Sequence, residues 1–175
     1  MGTLMKVILV SGIHGVGKST LCRTISERFG WPHYSCSKII KENSEYKESS
    51  KKVDSTEKNQ MALIQGLRKI KDDIILLDGH FCLLSTSDEV INLDFCVFNS
   101  ISPELIVNVT CNEEVIYNRL LRRDGEKIPY AIIKDLQKSE RNQAIKFSEY
   151  NNIRLIDYVS PNDVSPLMGY LHSIF

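Results

Sequence analysis

Eight consecutive residues, Gly12-Ile13-His14-Gly15-Val16-Gly17-Lys18-Ser19, match the pattern GxxxxGK[ST] in full, and Thr20 follows them. The residue types explain what such a segment can do. Gly12, Gly15 and Gly17 let the backbone wrap closely with its N–H groups turned inward, and the positive end of a following helix adds to the same field. Phosphate oxygens are the ligands that match. The backbone of His14 and Val16 belongs to the wrap, with His14 on its outer side. Lys18 reaches the β- and γ-phosphates as a mobile point charge, the Ser19 hydroxyl is a ligand for Mg2+, and Thr20 faces an α-phosphate.

Asp78 follows the apolar run Ile74-Ile75-Leu76-Leu77. That places a carboxylate at the carboxyl end of a core strand, where a phosphate-loop protein holds its magnesium shell; the other reading is an Asp that caps the Gly79 turn. A motor ATPase would carry a glutamate directly after this aspartate, and Gly79 stands there instead. No NKxD guanine-reading motif occurs either. Kinases of nucleotides or other small molecules are the large class left. Phosphoryl transfer between two anions needs cations around the migrating group, whose charge is spread over three oxygens. Arg119 and Arg123 lie four apart on one helix face, beside Arg122 and a glycine-containing loop, and Arg141 lies on the next helix. Arg122 and Arg123 also suit the C-terminal dipole of their own helix.

These residues need a scaffold. Short β-type runs alternate with helical patterns, the signature of a parallel sheet covered by helices on both faces. Strands are expected at Lys6 to Ser11, His33 to Cys36, Ile74 to Leu77, Leu105 to Thr110 and Ile153 to Ile156. The helix opening at Lys18 should bury Leu21, Cys22, Ile25 and Phe29 and stop at Gly30 and Pro32. Asp54 and Glu57 read as a capping box for a helix with Met61, Ile64, Leu67 and Ile70 on one face. Asn112 caps a helix that turns Ile116 and Leu120 inward. Pro129 suits the first turn of a long helix to about Tyr150, and Val164 to Ile174 closes the chain.

Composition narrows the function. The 175 residues are 42% hydrophobic and 25% charged, which suits one compact domain and excludes a disordered or fibrous chain. Lys plus Arg equals Asp plus Glu at 22 each, so no net field gathers a polyanion and bulk nucleic-acid binding is disfavoured. Five cysteines stand singly with no CxxC pair, which argues against a disulfide framework or a zinc ribbon. With no secretory h-region and no stretch of transmembrane length, a cytoplasmic location is the expectation.

The chain resembles the archaeal-type adenylate kinases and the related nuclear adenylate kinase-like ATPases, members of the nucleoside monophosphate kinase group. The resemblance spans nearly the whole length and rests on the phosphate loop, Asp78-Gly79-His80, the Pro103-Glu104-Leu105-Ile106-Val107 strand, Arg119, and Arg141 with Ala144. It implies a P-loop three-layer sandwich with a five-stranded parallel sheet in order 2-3-1-4-5, a single domain over 1–175, an acceptor-binding insertion at 38–60 and a short lid at 124–129. It also implies ATP and Mg2+ as ligands and a phosphorylated small-molecule acceptor. By position, Ser35 and Lys41 fall where that family binds the acceptor, Lys41 in place of an arginine, and His80 contacts the acceptor or hydrogen-bonds within its turn. Lys38 and Lys41 have a second reading as solvated surface charges. Ser37-Lys38 departs from the family's usual Gly-Asp, which leaves the acceptor's identity open; the sequence does not fix the oligomeric state.

The leading expectation is an ATP:nucleoside monophosphate phosphotransferase. The rivals are a regulatory or assembly ATPase with a docking surface over 41–58, and a kinase of another metabolite or of a nucleic-acid 5′ end.

Overall fold

A computed structural model describes residues 4–44 and 55–175, so Asp54 of the expected capping box and most of the 41–58 stretch lie outside the described residues. In chain order the elements are β1 (Lys6–Ser11), α1 (Lys18–Phe29), β2 (His33–Ser35), α2 (Cys36–Asn43), α3 (Ser55–Arg68), β3 (Ile74–Gly79), β4 (Cys82–Leu84), β5 (Val90–Asn92), α4 (Phe95–Asn99), β6 (Leu105–Cys111), α5 (Glu113–Asp124), α6 (Tyr130–Asn151), β7 (Arg154–Ser160) and α7 (Ser165–Ile174). Five strands form one parallel sheet in the order β2-β3-β1-β6-β7, the 2-3-1-4-5 pattern, with helices on its faces. The short antiparallel hairpin β4-β5 stands apart from that sheet.

The three central strands are continuous apolar runs because both of their faces are covered. Val7 to Val10, Ile75 to Leu77 and Leu105 to Val107 are all buried. From β1 the chain leaves towards β2 on one side, whereas from β3 it crosses to β6 on the other. Such a reversal opens a crevice beyond the carboxyl ends of the strands, and the segment after β1 crosses it. Parallel register sets Asp78 opposite Val10 on one side and Ser35 on the other.

Several expected elements differ in detail. Phe29 is only partly buried, at the edge of the core, where it stacks on Trp31 at 4.4 Å. Pro129 occupies the N-cap of α6 rather than its first turn. The inward face of α3 is Ala62, Leu63, Gly66 and Leu67, while Met61 is 59% exposed. Gly66 sets that phase: a Cβ there would stand 2.2 Å from Ile39 Cγ2, so only glycine lets α2 dock this closely on α3. The hairpin and α4 were not expected from periodicity. Phe81, Phe95, Phe98 and Phe147 form the aromatic cluster that ties this region to α6, with ring centroids 4.3 to 6.1 Å apart. Among the described residues no helix is long and apolar enough to cross a membrane, and no disulfide joins the cysteines.

Candidate nucleotide-binding site

The loop between β1 and α1 is fixed from beneath. Gly12 has φ +154°, and a Cβ there would meet the Val109 carbonyl oxygen at 2.7 Å, a backbone atom that cannot step aside. The side chain of Val16 is fully buried and packs against Gly12, where a Cβ would stand 2.9 Å from its Cγ2. α1 begins at Lys18 with Gly17 as its N-cap and no side chain bonded to its first-turn amides, which leaves those donors for an anion. Arg119 from α5 donates through Nη1 to the Gly15 carbonyl at 2.9 Å, holding the far side of the loop.

Lys18 folds back on the loop, its Nζ donating to the Gly12 carbonyl at 2.5 Å and the Ile13 carbonyl at 3.0 Å. Burial lowers its pKa, and the nearby carboxylates Asp78 and Glu140 pull the other way. A cavity of about 540 Å³ opens above it. On one wall are His14, Gly15, Gly17, Ser19 and Thr20; Arg119 and Arg123 close one end; His33, Ser35, Ser37, Asp78 and His80 form the opposite wall. His33 Nε2–H donates to Asp78 Oδ2, and the Asp78 carboxylate lines the cavity. Ser19 Oγ and Asp78 therefore offer, within one cavity, the oxygen donors that Mg2+ takes while keeping part of its water shell, so the residues fit that ion.

The rings of His14 and His80 both line the cavity and are in contact with one another, their centroids 5.0 Å apart. Desolvation, then His14 and Lys18, pushes the His80 pKa down to about 4, so the ring is neutral at neutral pH. His14, at the exposed mouth, is lowered by partial desolvation and by Lys18.

The remaining sequence candidates are distributed unevenly. Arg123 lines the cavity, but its Nε is engaged by Asp124 at 3.1 to 3.2 Å. Arg141 is not among the lining residues: it makes a two-pronged pair with Asp157, Nε to Oδ1 at 3.0 Å and Nη2 to Oδ2 at 2.8 Å, and would have to leave it to reach a phosphate. Lys41 is exposed on α2 and does not line the cavity either. Of the 124–129 segment, Asp124 ends α5 and Gly125 caps it in the left-handed conformation. Glu126, Lys127 and Ile128 line a second cavity of about 530 Å³ beside the hairpin, which shares His14 and Leu120 with the first.

Three residues escaped the sequence reading: His33 and Ser37, which line the cavity, and Glu140 behind it. Glu140, 1% exposed, receives the backbone N–H groups of Phe81 at 2.8 and 2.9 Å and Cys82 at 2.7 Å. It clamps the segment that leaves Asp78 and His80 onto α6. Burial pushes its carboxyl up to about 7, against the lowering effect of those amides and of Lys18. The signal was present: Ile133, Leu136, Glu140, Ala144 and Phe147 follow one buried stripe, and a carboxylate within such a stripe needs a partner.

A glycine loop between a parallel strand and its helix, with a lysine in the first turn and a carboxylate at the end of the neighbouring strand, defines a P-loop nucleotide-binding domain. The chain belongs to the AAA domain family, whose model matches residues 11–137. It is 27% identical over 132 residues to a protein of Methanocaldococcus jannaschii described as "Putative adenylate kinase"; the match covers 74% of this chain and 64% of that protein's length. A crystal structure of an uncharacterized protein from Eubacterium ventriosum covers 97% of both chains with a TM-score of 0.52 at 11% identity, a likeness of fold alone.

Proposed function

We propose that the chain is an ATP-dependent phosphotransferase of the nucleoside monophosphate kinase type, working in a reducing cytoplasmic compartment as a single domain. The observation that carries this reading is that one cavity has two walls around Lys18, a phosphate loop on one side and polar side chains from β2, α2 and the end of β3 on the other. A hydrolase needs only the first.

In the reaction the acceptor's phosphate oxygen attacks the γ-phosphorus, a new P–O bond forms in line, and the bond to the β–γ bridging oxygen breaks to release ADP. Ser19 and Asp78 would hold Mg2+, which would supply charge neutralisation for the donor phosphates. Lys18 exchanges the Gly12 and Ile13 carbonyls for phosphate oxygens, and the first-turn amides of α1, with Thr20, receive the rest of the tail. Arg119 spans the loop and the cavity, so it both fixes Gly15 and faces the migrating charge. Arg123 turns from Asp124 to the phosphates as the 124–129 segment closes, and closure excludes the water that would compete as acceptor. Ser35 and His80 bind the acceptor. His80, neutral, donates or accepts a hydrogen bond without adding charge.

A second reading, a regulatory ATPase, is favoured by one observation: Lys41, the cation expected at the acceptor phosphate, is exposed and away from the cavity. Gly79 after Asp78 gives such an ATPase no glutamate to activate water. A coupled assay of ADP formation with Mg-ATP and a panel of nucleoside and deoxynucleoside monophosphates separates the two. ADP formation that requires an acceptor is the expected result. Hydrolysis at one rate, whatever acceptor is added, overturns the kinase reading in favour of the switch.

A further inference from the structure

Asp78 faces two donor sets of opposite chemical character. Towards Ser19 and the cavity it belongs to an oxygen-lined site. It also meets Cys22 and His33, and the three ligand atoms, Cys22 Sγ, a His33 ring nitrogen and an Asp78 carboxylate oxygen, all lie within 4.8 Å of one another. Each comes from a different element. Cys22 lies one turn beyond Lys18 on the same face of α1 and is fully buried. His33 pairs with Leu76 across the β2-β3 ladder, and Asp78 is two residues beyond Leu76, so alternation sends both side chains to one face of the sheet. The side chains of His33 and Asp78 are 25% and 15% exposed and both line the cavity, which gives an ion a way in.

Sulfur, imidazole nitrogen and one carboxylate are the wrong donors for Mg2+, which demands oxygen, and the right ones for a divalent ion of the zinc class. Three protein ligands would leave one position of a tetrahedral ion for water or a phosphate oxygen, and two of the three residues, His33 and Asp78, line the cavity. We propose that Cys22, His33 and Asp78 form a binding site for a Zn2+-class ion that takes Asp78 away from Mg2+ and holds the nucleotide site in an off state. Binding displaces the Cys22 thiol proton to solvent, because a coordinated sulfur is a thiolate. The imidazole turns a lone pair to the metal in place of its hydrogen bond to Asp78. The off state rests on the function proposed above; the metal site itself does not.

The test uses the reduced full chain without nucleotide, titrated with Co2+ as an absorbing probe and then back-titrated with Zn2+. The expected result is one ion per chain, with a thiolate-to-cobalt charge-transfer band and the visible bands of a tetrahedral ion, all lost on adding Zn2+. Cys22→Ser should remove the charge-transfer band. His33→Gln, at a partly exposed position where folding is not at stake, should keep the band and weaken binding by about tenfold or more. The site is overturned if the wild-type chain gives no thiolate band, if the band survives Cys22→Ser, or if folded His33→Gln binds Co2+ as tightly as wild type. A chain that passes this test and transfers no phosphoryl group would sink the kinase reading and leave the metal site intact, so the two failures are distinct.

Discussion

The two walls of the cavity are built by different means. The loop wall is backbone: amides, glycine geometry and a helix end, braced by Arg119 on Gly15, by the Val109 carbonyl under Gly12 and by the buried packing of Val16. The opposite wall is side chains from three separate elements, carried by a three-residue strand, an eight-residue helix and the turn after β3. Its support is indirect, through Gly66 beneath α2 and Glu140 behind Phe81 and Cys82. A wall of backbone recognises what every nucleotide tail shares, whereas a wall of side chains sets what distinguishes one acceptor from another.

If that division holds, the largest loss comes from the loop wall. Lys18→Ala should lower phosphoryl transfer by about a thousandfold or more while the chain stays folded, measured as kcat/KM beside a circular dichroism melt. A variant that keeps wild-type rates would remove Lys18 from the mechanism.

Next in size is the support of the side-chain wall. Glu140→Ala leaves two buried amides without a partner, at about 1 to 3 kcal/mol each, and urea unfolding should record a loss of about 2 to 6 kcal/mol. An unchanged midpoint would mean that the clamp does not hold this wall.

The same wall should carry an opposed pair of pH dependences. With a pKa raised to about 7 by burial, folded Glu140 keeps its proton where the unfolded carboxyl has lost it, so its contribution to stability falls as pH rises from the ordinary carboxylate range to about 7. His80, pushed down to about 4, stays neutral where the unfolded imidazole is charged, so its contribution is complete above the ordinary histidine range and is lost as pH falls to about 4. Each amounts to about 3 kcal/mol, with opposite slopes over the shared window. Wild-type stability should therefore be nearly level there, and His80→Gln should expose the Glu140 slope, with stability falling as pH rises. Equal pH slopes in the two proteins would show that the pair is not opposed.

Smaller still is Gly66→Ala, expected to cost about 1 to 3 kcal/mol through overpacking on Ile39 and to raise the acceptor KM more than that for ATP. Smallest is Lys41→Ala, for which acceptor KM should change by less than about twofold, since the side chain is exposed and outside the cavity. A large acceptor effect from Lys41 would redraw the boundary of the second wall.

The same division explains what could be read from the chain. The phosphate loop is eight contiguous residues whose chemistry is local, and Asp78 ends an unbroken apolar run, so both were visible without a fold. The central strands were visible because burial on both faces leaves no alternation. By contrast His33, Ser35, Ser37 and His80 converge only once β2 pairs with β3. The hairpin strands are three residues each, too short for a period. The phase of α3 depends on a contact between Gly66 and Ile39 that no local pattern carries. Arg141 and Asp157 pair across 16 positions, which spacing along one helix could not show.

The amide-lined loop around Lys18 should capture the tail of a nucleoside triphosphate, and calorimetric titration of the folded chain with ATP in the presence of Mg2+ measures that capture. One ATP should be taken up per chain, and the uptake should be lost in Lys18→Ala. A wild-type chain that gives no heat of binding with ATP or with any other purine triphosphate would not be a nucleotide-binding protein of this kind.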